Sequence, residues 1–293
     1  MIAFSRVAGP AAFALAMIGT ASATIAAPPV KLWEVTGLAN PESAVPDVKA
    51  GIIYVSNVNG EADKKDGNGF ISTVSLDGRV IALKWATGLN APKGLALAGG
   101  KLYAADIDEL VEIDTKDGKV LNRYPAKDAK FLNDAAADAA GNVYVSDMVT
   151  DTIWKLSGGT FDVWLADAKL ENPNGLLVEG DNLRVAAWGV MTDGFATKVP
   201  GHLISVTLDG KVISNIGDGT PFGNLDGLES IGGGAYFVTD WMAGKVMKFG
   251  ADGKVETLLE LGQGAADIGY DAASKTLYVP QMMKSTLTAY KVE

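Results

Sequence analysis

Six polar residues recur at regular intervals along the chain, each at the start of an otherwise apolar stretch. They follow one another at spacings of 51, 40, 41, 52 and 41 residues and are Glu42, Lys93, Asn133, Asn174, Asp226 and Asp267. Five of them carry carboxylate or amide oxygens, the hard ligands that Ca²⁺ and similar divalent cations prefer. Carboxylates packed without a cation repel one another, and one of them then becomes protonated. The set favours a cation site, with a hydrated lining that holds no ion as the alternative.

Lys93 is the cationic member of this set. Its ammonium group could form an ion pair with Glu42 or Asp267, anchor an anionic substrate, or replace part of a metal's charge. We predict Lys93 among the substrate-binding residues and keep the other interpretations open.

A second set of mostly polar residues follows the first by about 14 positions. Its members are Asn57, Asp106, Asp147, Trp188, Asp240 and Gln281. If each marks the end of a strand that returns beside the first, both sets surround one opening. Trp188 and the nearby Trp241 then suit the wall of a small-molecule pocket, with packing in the core as the alternative. We predict Asp147 and Asp267 as further substrate contacts.

Turn signals and short apolar runs alternate through the chain and indicate what positions these residues. Asp-Gly or Gly-Gly pairs, which supply the positive φ angles of tight hairpins, recur at Asp77-Gly78, Asp117-Gly118, Gly158-Gly159, Asp209-Gly210 and Asp252-Gly253. Six units of about four strands each predict an all-β fold, a six-bladed β-propeller. The first strand of each blade lines the central channel, so the six polar residues would meet at one mouth.

The two ends of the chain predict how the ring closes. The sixth unit is one strand short, and residues 31–38 resemble the outer strand of unit one at 83–89. We therefore expect residues 30–38 to complete the last blade and cover its edge. Units one and four also carry longer loops, at 58–69 and 189–201. These loops would wall the site from opposite sides.

The first residues have the pattern of a secretory signal peptide. Arg6 precedes an apolar stretch over 7–18, and Ala21-Ser22-Ala23 fits a cleavage site. We predict a signal peptide at 1–23 and a single propeller domain at 24–293, with cleavage after Ala26 or an uncleaved anchor as alternatives. The mature protein is expected to be a periplasmic or secreted monomer that does not associate with membranes.

Composition removes several classes of function. The chain has no cysteine, which excludes disulfides and thiolate chemistry, and its single histidine, His202, excludes two-histidine zinc motifs. We interpret His202 as a packing residue. The formal net charge of −10 disfavours nucleic acid as a partner. A small-molecule substrate remains the expected partner.

Around these residues the chain resembles the senescence marker protein/gluconolactonase (regucalcin-like) family of six-bladed propellers. The resemblance covers 24–293 and is most specific in Asn133-Asp134-x3-Asp138-x2-Gly141, Pro173-Asn174-Gly175-Leu176 and Leu225-Asp226-Gly227-Leu228. It implies one catalytic divalent cation held by Glu42, Asn133, Asn174 and Asp226. Ca²⁺ is the first choice, with Mn²⁺, Zn²⁺ or Mg²⁺ as alternatives. The resemblance also implies hydrolysis of lactones or esters, with Asp226 as general base.

The chain departs from this family at the substrate side of the site. Sugar lactonases often carry an arginine two residues before the first asparagine, where this chain has Phe131. We therefore predict that Phe131 contacts a less polar substrate.

Three functions remain on these grounds. They are metal-dependent hydrolysis of lactones or related esters, non-enzymatic binding of a small ligand or partner protein, and strictosidine-synthase-like chemistry without a metal.

Overall fold

The predicted six-bladed propeller is confirmed. The structure, a computed structural model, describes Met1 and residues 27–293 and contains six four-stranded antiparallel sheets in this part. The innermost strands contact one another in a closed circle, which makes each sheet a blade around a central channel. No helix among the described residues is long and apolar enough to cross a membrane. Apart from Met1, the predicted signal peptide at 1–23 lies outside the described residues.

The strands succeed one another in chain order from the channel outwards. The closing strand β1 is Val30–Thr36, and blade one contains β2 (Pro41–Asp47), β3 (Ile52–Asn57), β4 (Gly69–Ser75) and β5 (Val80–Leu89). Blade two contains β6 (Pro92–Ala98), β7 (Lys101–Asp106), β8 (Glu109–Asp114) and β9 (Val120–Pro125). Blade three contains β10 (Leu132–Ala137), β11 (Val143–Asp147), β12 (Thr152–Ser157) and β13 (Thr160–Ala166).

The second half of the ring differs by an inserted hairpin. Blade four contains β14 (Pro173–Glu179), β15 (Asn182–Ala187), the hairpin β16 (Met191–Asp193) and β17 (Ala196–Thr197), then β18 (Leu203–Thr207) and β19 (Ile213–Asn215). Blade five contains β20 (Leu225–Gly232), β21 (Ala235–Asp240), β22 (Lys245–Phe249) and β23 (Val255–Glu260). Blade six contains β24 (Gly269–Asp271), β25 (Thr276–Gln281) and β26 (Thr286–Lys291). Two 3₁₀ turns occupy Ala168–Leu170 and Met282–Lys284.

Strand β1 closes the ring, as the matching chain ends predict. It pairs antiparallel with β26, with Val35 opposite Leu287, and so becomes the outer strand of blade six. The Trp33 ring lies 5.9 Å from that of Tyr278, and its indole nitrogen donates to the Leu76 carbonyl of blade one at 3.0 Å. The closing strand thus ties the last blade to the first.

A β-bulge follows the first residue of five inner strands. The pairing of β2, β6, β10, β14 and β20 with the second strand shifts register between their first and fourth residues. A bulge bends a strand and re-aims its side chains. In three blades a second-strand hydroxyl accepts the freed backbone N–H: Ser43 to Ser56 at 2.8 Å, Asp134 to Ser146 at 2.9 Å and Gly227 to Thr239 at 2.7 Å. Five of the six repeated polar residues, all except Asp267, therefore sit on defined bulges.

Removal of the closing strand tests this architecture. We expect a chain that starts at residue 39 to melt at a lower temperature, or to aggregate, compared with one that starts at 27, because β26 would become an open edge. Thermal unfolding followed by circular dichroism measures the difference. Lys31→Ala, a change at an exposed position of β1, is the control and should leave the melting temperature near that of the parent. Equal melting of the two chain lengths would contradict the closure.

Candidate active site

One cavity at the channel mouth collects most of the predicted site. Its volume is about 320 Å³. Five of the six repeated residues line it, and each is at least 95% buried: Glu42, Lys93, Asn133, Asn174 and Asp226. The structure therefore brings together all four residues that the family resemblance assigns to a cation.

Four oxygens of this cavity are buried without a hydrogen-bond partner among the described residues. They are Glu42 Oε2, Asn133 Oδ1, Asn174 Oδ1 and Asp226 Oδ1. The Asn133 amide nitrogen lies 3.4 Å from the Met148 sulfur, which leaves its oxygen free. Because an unpartnered buried polar group costs on the order of 1–3 kcal/mol, such a concentration is typical of a binding site for a polar ligand or ion.

Burial also acts on the two carboxylates of this set. Desolvation raises the pKa of Glu42 well above its usual range, and the negative charges of Asp226 and Asp267 raise it further. Desolvation, followed by the charge of Asp267, likewise raises the pKa of Asp226. Both groups thus lack a positive charge sufficient to hold them ionised.

The donor set fits a divalent cation. Two carboxylates and two amide oxygens, all unpartnered, provide the oxygen-only surroundings typical of Ca²⁺, which takes about 6–8 ligands and would leave positions for water or substrate. The described residues contain no group of three or more histidine, aspartate and glutamate side chains placed for a metal. A metal here would therefore depend on the asparagines.

Lys93 does not form the ion pair suggested as one interpretation. Its ammonium nitrogen donates to the Ala91 carbonyl at 3.2 Å and lies 4.3 Å from the centre of the Phe131 ring. Among residues 27–293 no carboxylate comes within ion-pair distance of it. Burial lowers the pKa of Lys93 to about 8, and the charge of Glu42 only partly opposes this.

Aromatic side chains form the other wall of the cavity. Phe131, Trp188 and Trp241 all line it, as predicted. The Trp188 and Trp241 rings are 6.2 Å apart, and Phe195 lies 5.5 Å from Phe131. Phe195 comes from the blade-four loop, and Val58, Gly60 and Ala62 of the blade-one loop also line the cavity. Both loops thus take part in the wall.

Asp147, predicted from the sequence as a substrate contact, lies away from this cavity. It is fully buried and does not line the cavity; its carboxylate accepts the backbone N–H groups of Lys130 at 2.8 Å and Phe131 at 3.1 Å. Asp106 does the same for Asn90 and Ala91, both at 2.8 Å. These second-strand carboxylates bind the backbone of the segments that lead into the inner strands. They therefore support the site without lining the cavity.

Asp267 is also misplaced by the sequence prediction. It lines a separate cavity with Asp134 and Glu229, and the Ser43 hydroxyl donates to it at 2.5 Å. Its backbone N–H donates to the Glu42 carbonyl at 2.9 Å, because this segment joins the last blade to the first. Desolvation raises the pKa of Asp267 to about 7, and desolvation together with Asp267 raises that of Glu229 to about 8.

Several cavity residues carry no signal in the repeat. They are Asn40, Met148, Phe195, Met282 and Met283. Phe195 could have been found as the single aromatic residue of the inserted loop. His202 packs as interpreted: it is 7% exposed, with Nε2 3.2 Å from the Asn215 side-chain oxygen.

Close contact between blades sets the spacing of two polar residues of the cavity. A Cβ added to Gly175, directly after Asn174, would lie 1.8 Å from the carbonyl oxygen of Asp226. Only glycine lets these two inner strands approach so closely, and their approach sets Asn174 beside Asp226.

Comparison with known proteins extends to the fold. No protein-family model and no curated protein sequence matches the chain. A gluconolactonase from Xanthomonas campestris superposes with a TM-score of 0.65 at 14% identity, over 91% of this chain and 95% of that one. Virginiamycin B lyase from Staphylococcus aureus superposes with a TM-score of 0.61 at 14% sequence identity, over 90% of this chain and 99% of the lyase. A Bacteroides thetaiotaomicron protein of unknown function superposes with a TM-score of 0.67 at 12% sequence identity, over 90% of this chain and 72% of that protein. The similarity to gluconolactonase propellers is thus confirmed as one of fold.

The buried carboxyl groups predict how stability depends on pH. Asp267 and Glu229 have pKa values of about 7 and about 8 in the folded chain, against about 4 when unfolded. Between these values the folded protein binds more protons, so its stability should fall as pH rises from about 4 to about 8. Thermal unfolding in a chelator, from pH 4.5 to pH 8.5, measures this.

A matched pair of variants assigns the effect. Glu229→Gln should flatten the upper part of the profile, because the amide needs no proton to stay neutral. Glu256→Gln, at an exposed position of β23, should leave the slope unchanged. Wild-type stability that is flat or rises over this interval would contradict the assignment.

Proposed function

We propose that the protein is a metal-dependent hydrolase of lactones or related esters, and that its substrates carry an apolar group. The observation that carries this proposal is the set of four unpartnered buried oxygens contributed by four inner strands to one cavity. When bound there, a divalent cation supplies Lewis-acid chemistry, polarising the ester carbonyl and offsetting the charge that develops on its oxygen. The pattern of residues 1–23 adds the proposal that the protein is exported.

The chain's own residues divide the remaining work. Asp226 lines the cavity, and we assign its carboxylate to accept a proton from the attacking water, with one oxygen holding the cation and the other acting as the base. Asn133 and Asn174 are assigned to donate amide oxygens to the cation, and because these side chains are neutral they add no negative charge to the site. Phe131, Trp188 and Trp241 hold an apolar part of the substrate and keep water away from that side.

Lyase chemistry has less support. A similar lyase structure carries alanine in place of one histidine and is described as catalytically inactive. The single histidine of this chain, His202, lies outside the cavity beside Glu171 and Asn215. The cavity therefore offers no histidine for such a reaction.

Two variants separate proton transfer from metal binding. We expect Asp226→Asn to retain some metal and to lose about 10²–10⁴-fold in kcat, because the amide cannot act as a base. Asn174→Ala should weaken metal binding first, and excess metal should partly restore its activity. Metal content by mass spectrometry and affinity by calorimetry are measured beside hydrolysis of a lactone panel.

The controls make the result decisive. Asp252→Asn, in an exposed turn, should change neither quantity. Wild-type protein that holds no metal and turns over no lactone would overturn the hydrolase in favour of a ligand-binding propeller.

The apolar wall predicts a preference among lactones. We expect lactones with aromatic or aliphatic substituents to exceed sugar lactones in kcat/KM by about tenfold or more, a ratio typical of hydrophobic pockets. Trp241→Ala should lower kcat/KM for aromatic lactones more than for small unsubstituted ones, whereas Val163→Ala, on the exposed face of β13, should affect neither. A preference for sugar lactones would contradict the assignment of this wall.

A further inference from the structure

Lys93 is a buried amine that the proposed hydrolysis leaves unused. It is 2% exposed and lines the cavity beside the aromatic wall. Its nitrogen has one hydrogen-bond acceptor among residues 27–293, the Ala91 carbonyl at 3.2 Å. An ammonium group has three donors, so two of them have no protein partner here. The site therefore solvates a protonated amine less well than water does, although the face of the Phe131 ring offers it a cation–π contact.

The backbone around this amine is firmly held. The N–H of Ala91 donates to Asp106 at 2.8 Å, and Asp106 also accepts the N–H of Asn90 at 2.8 Å. The carbonyl that orients Lys93 is thus fixed by a buried carboxylate. The Phe131 ring, 4.3 Å from the nitrogen, provides an apolar surface next to it. A ligand bound against that ring would place its reactive group within reach of the amine.

The charge balance agrees with this geometry. Glu42, Asp106 and Asp63 are the charged groups that act on Lys93, and all three favour its protonated form. Desolvation nonetheless lowers the pKa of Lys93 to about 8. The neutral amine, whose nitrogen carries a free lone pair, is therefore more populated near neutral pH in Lys93 than in an ordinary lysine with a pKa of about 10.4.

We propose that Lys93 is a covalent binding site for aldehydes or ketones that carry an apolar group, which it holds as an imine. The neutral Lys93 nitrogen attacks the carbonyl carbon and forms a C–N bond, while one of its two protons passes to the carbonyl oxygen to give a carbinolamine that keeps one proton on nitrogen. The carbinolamine then loses its hydroxyl group and the nitrogen proton as one water molecule. The product is a C=N bond, reversible by the return of water, and no oxidant or reductant is needed. The proposal does not depend on lactone hydrolysis.

Reductive trapping tests the site directly. The wild-type protein is incubated at pH 8 with 4-phenylbutan-2-one and sodium cyanoborohydride, in the presence of a chelator, and labelled lysines are then mapped by peptide mass spectrometry. Cyanoborohydride reduces an imine to a stable secondary amine, so each label records an imine. We expect at least about tenfold more label on Lys93 than on Lys116, an exposed turn lysine.

Variants and a second probe separate the outcomes. Lys93→Met should remove this excess, while Lys116→Arg should leave it intact. Hydroxyacetone, a ketone without an apolar group, should label Lys93 about tenfold less than the phenyl ketone does. Label spread evenly over the exposed lysines of the wild type would overturn the proposal, and this result does not require that the variants fold. Because the chelator removes metal, trapping and lactone hydrolysis can fail or succeed independently.

Discussion

The main constraint on this structure is the burial of polar groups that find no partner in the protein. Four oxygens and a poorly solvated amine face one cavity of about 320 Å³. Each such group costs free energy in the folded state, on the order of 1–3 kcal/mol for a neutral one and more for a charge. A chain would relieve this cost by turning the side chains aside unless the backbone prevented it. In this propeller the backbone around the cavity is held so that these side chains cannot turn away from it.

Two repeated devices hold the polar residues in place. Bulges aim them towards the channel, and hydroxyls of Ser56, Ser146 and Thr239 satisfy the backbone N–H groups that the bulges release. Behind them, Asp106 and Asp147 fasten the segments that lead into the inner strands. None of these hydroxyls and carboxylates lines the cavity, yet they hold the backbone whose side chains do. The closing strand adds to this support. By joining the last blade to the first, it keeps the six blades from moving apart.

The sequence predicts the fold and the four residues whose oxygens meet at the cavity, because both follow from the position of each residue within the repeat. A residue that opens an inner strand lies at the channel mouth, and the spacing identifies Glu42, Asn133, Asn174 and Asp226 without any knowledge of contacts. The same reasoning fails for Asp267, since strand β24 begins two residues later, at Gly269, and the segment before it is used to join the blades. It also fails for the partner of Lys93, because the choice between a carboxylate and an aromatic ring depends on distances of a few ångströms that repeat phase does not encode.

Hydrogen bonding, rather than residue type, separates the site from its supports. Asp147 and Asp267 are buried carboxylates like Asp226, but the first accepts two backbone N–H groups and the second a serine hydroxyl. Asp226 keeps one oxygen without any partner in the described chain. A satisfied buried carboxylate stabilises the loop it binds, whereas an unsatisfied one stores a free energy that a ligand can recover. By this criterion the walls of one pocket carry an unsatisfied oxygen set suited to a cation, the unpartnered amide nitrogen of Asn174, and an amine suited to a carbonyl.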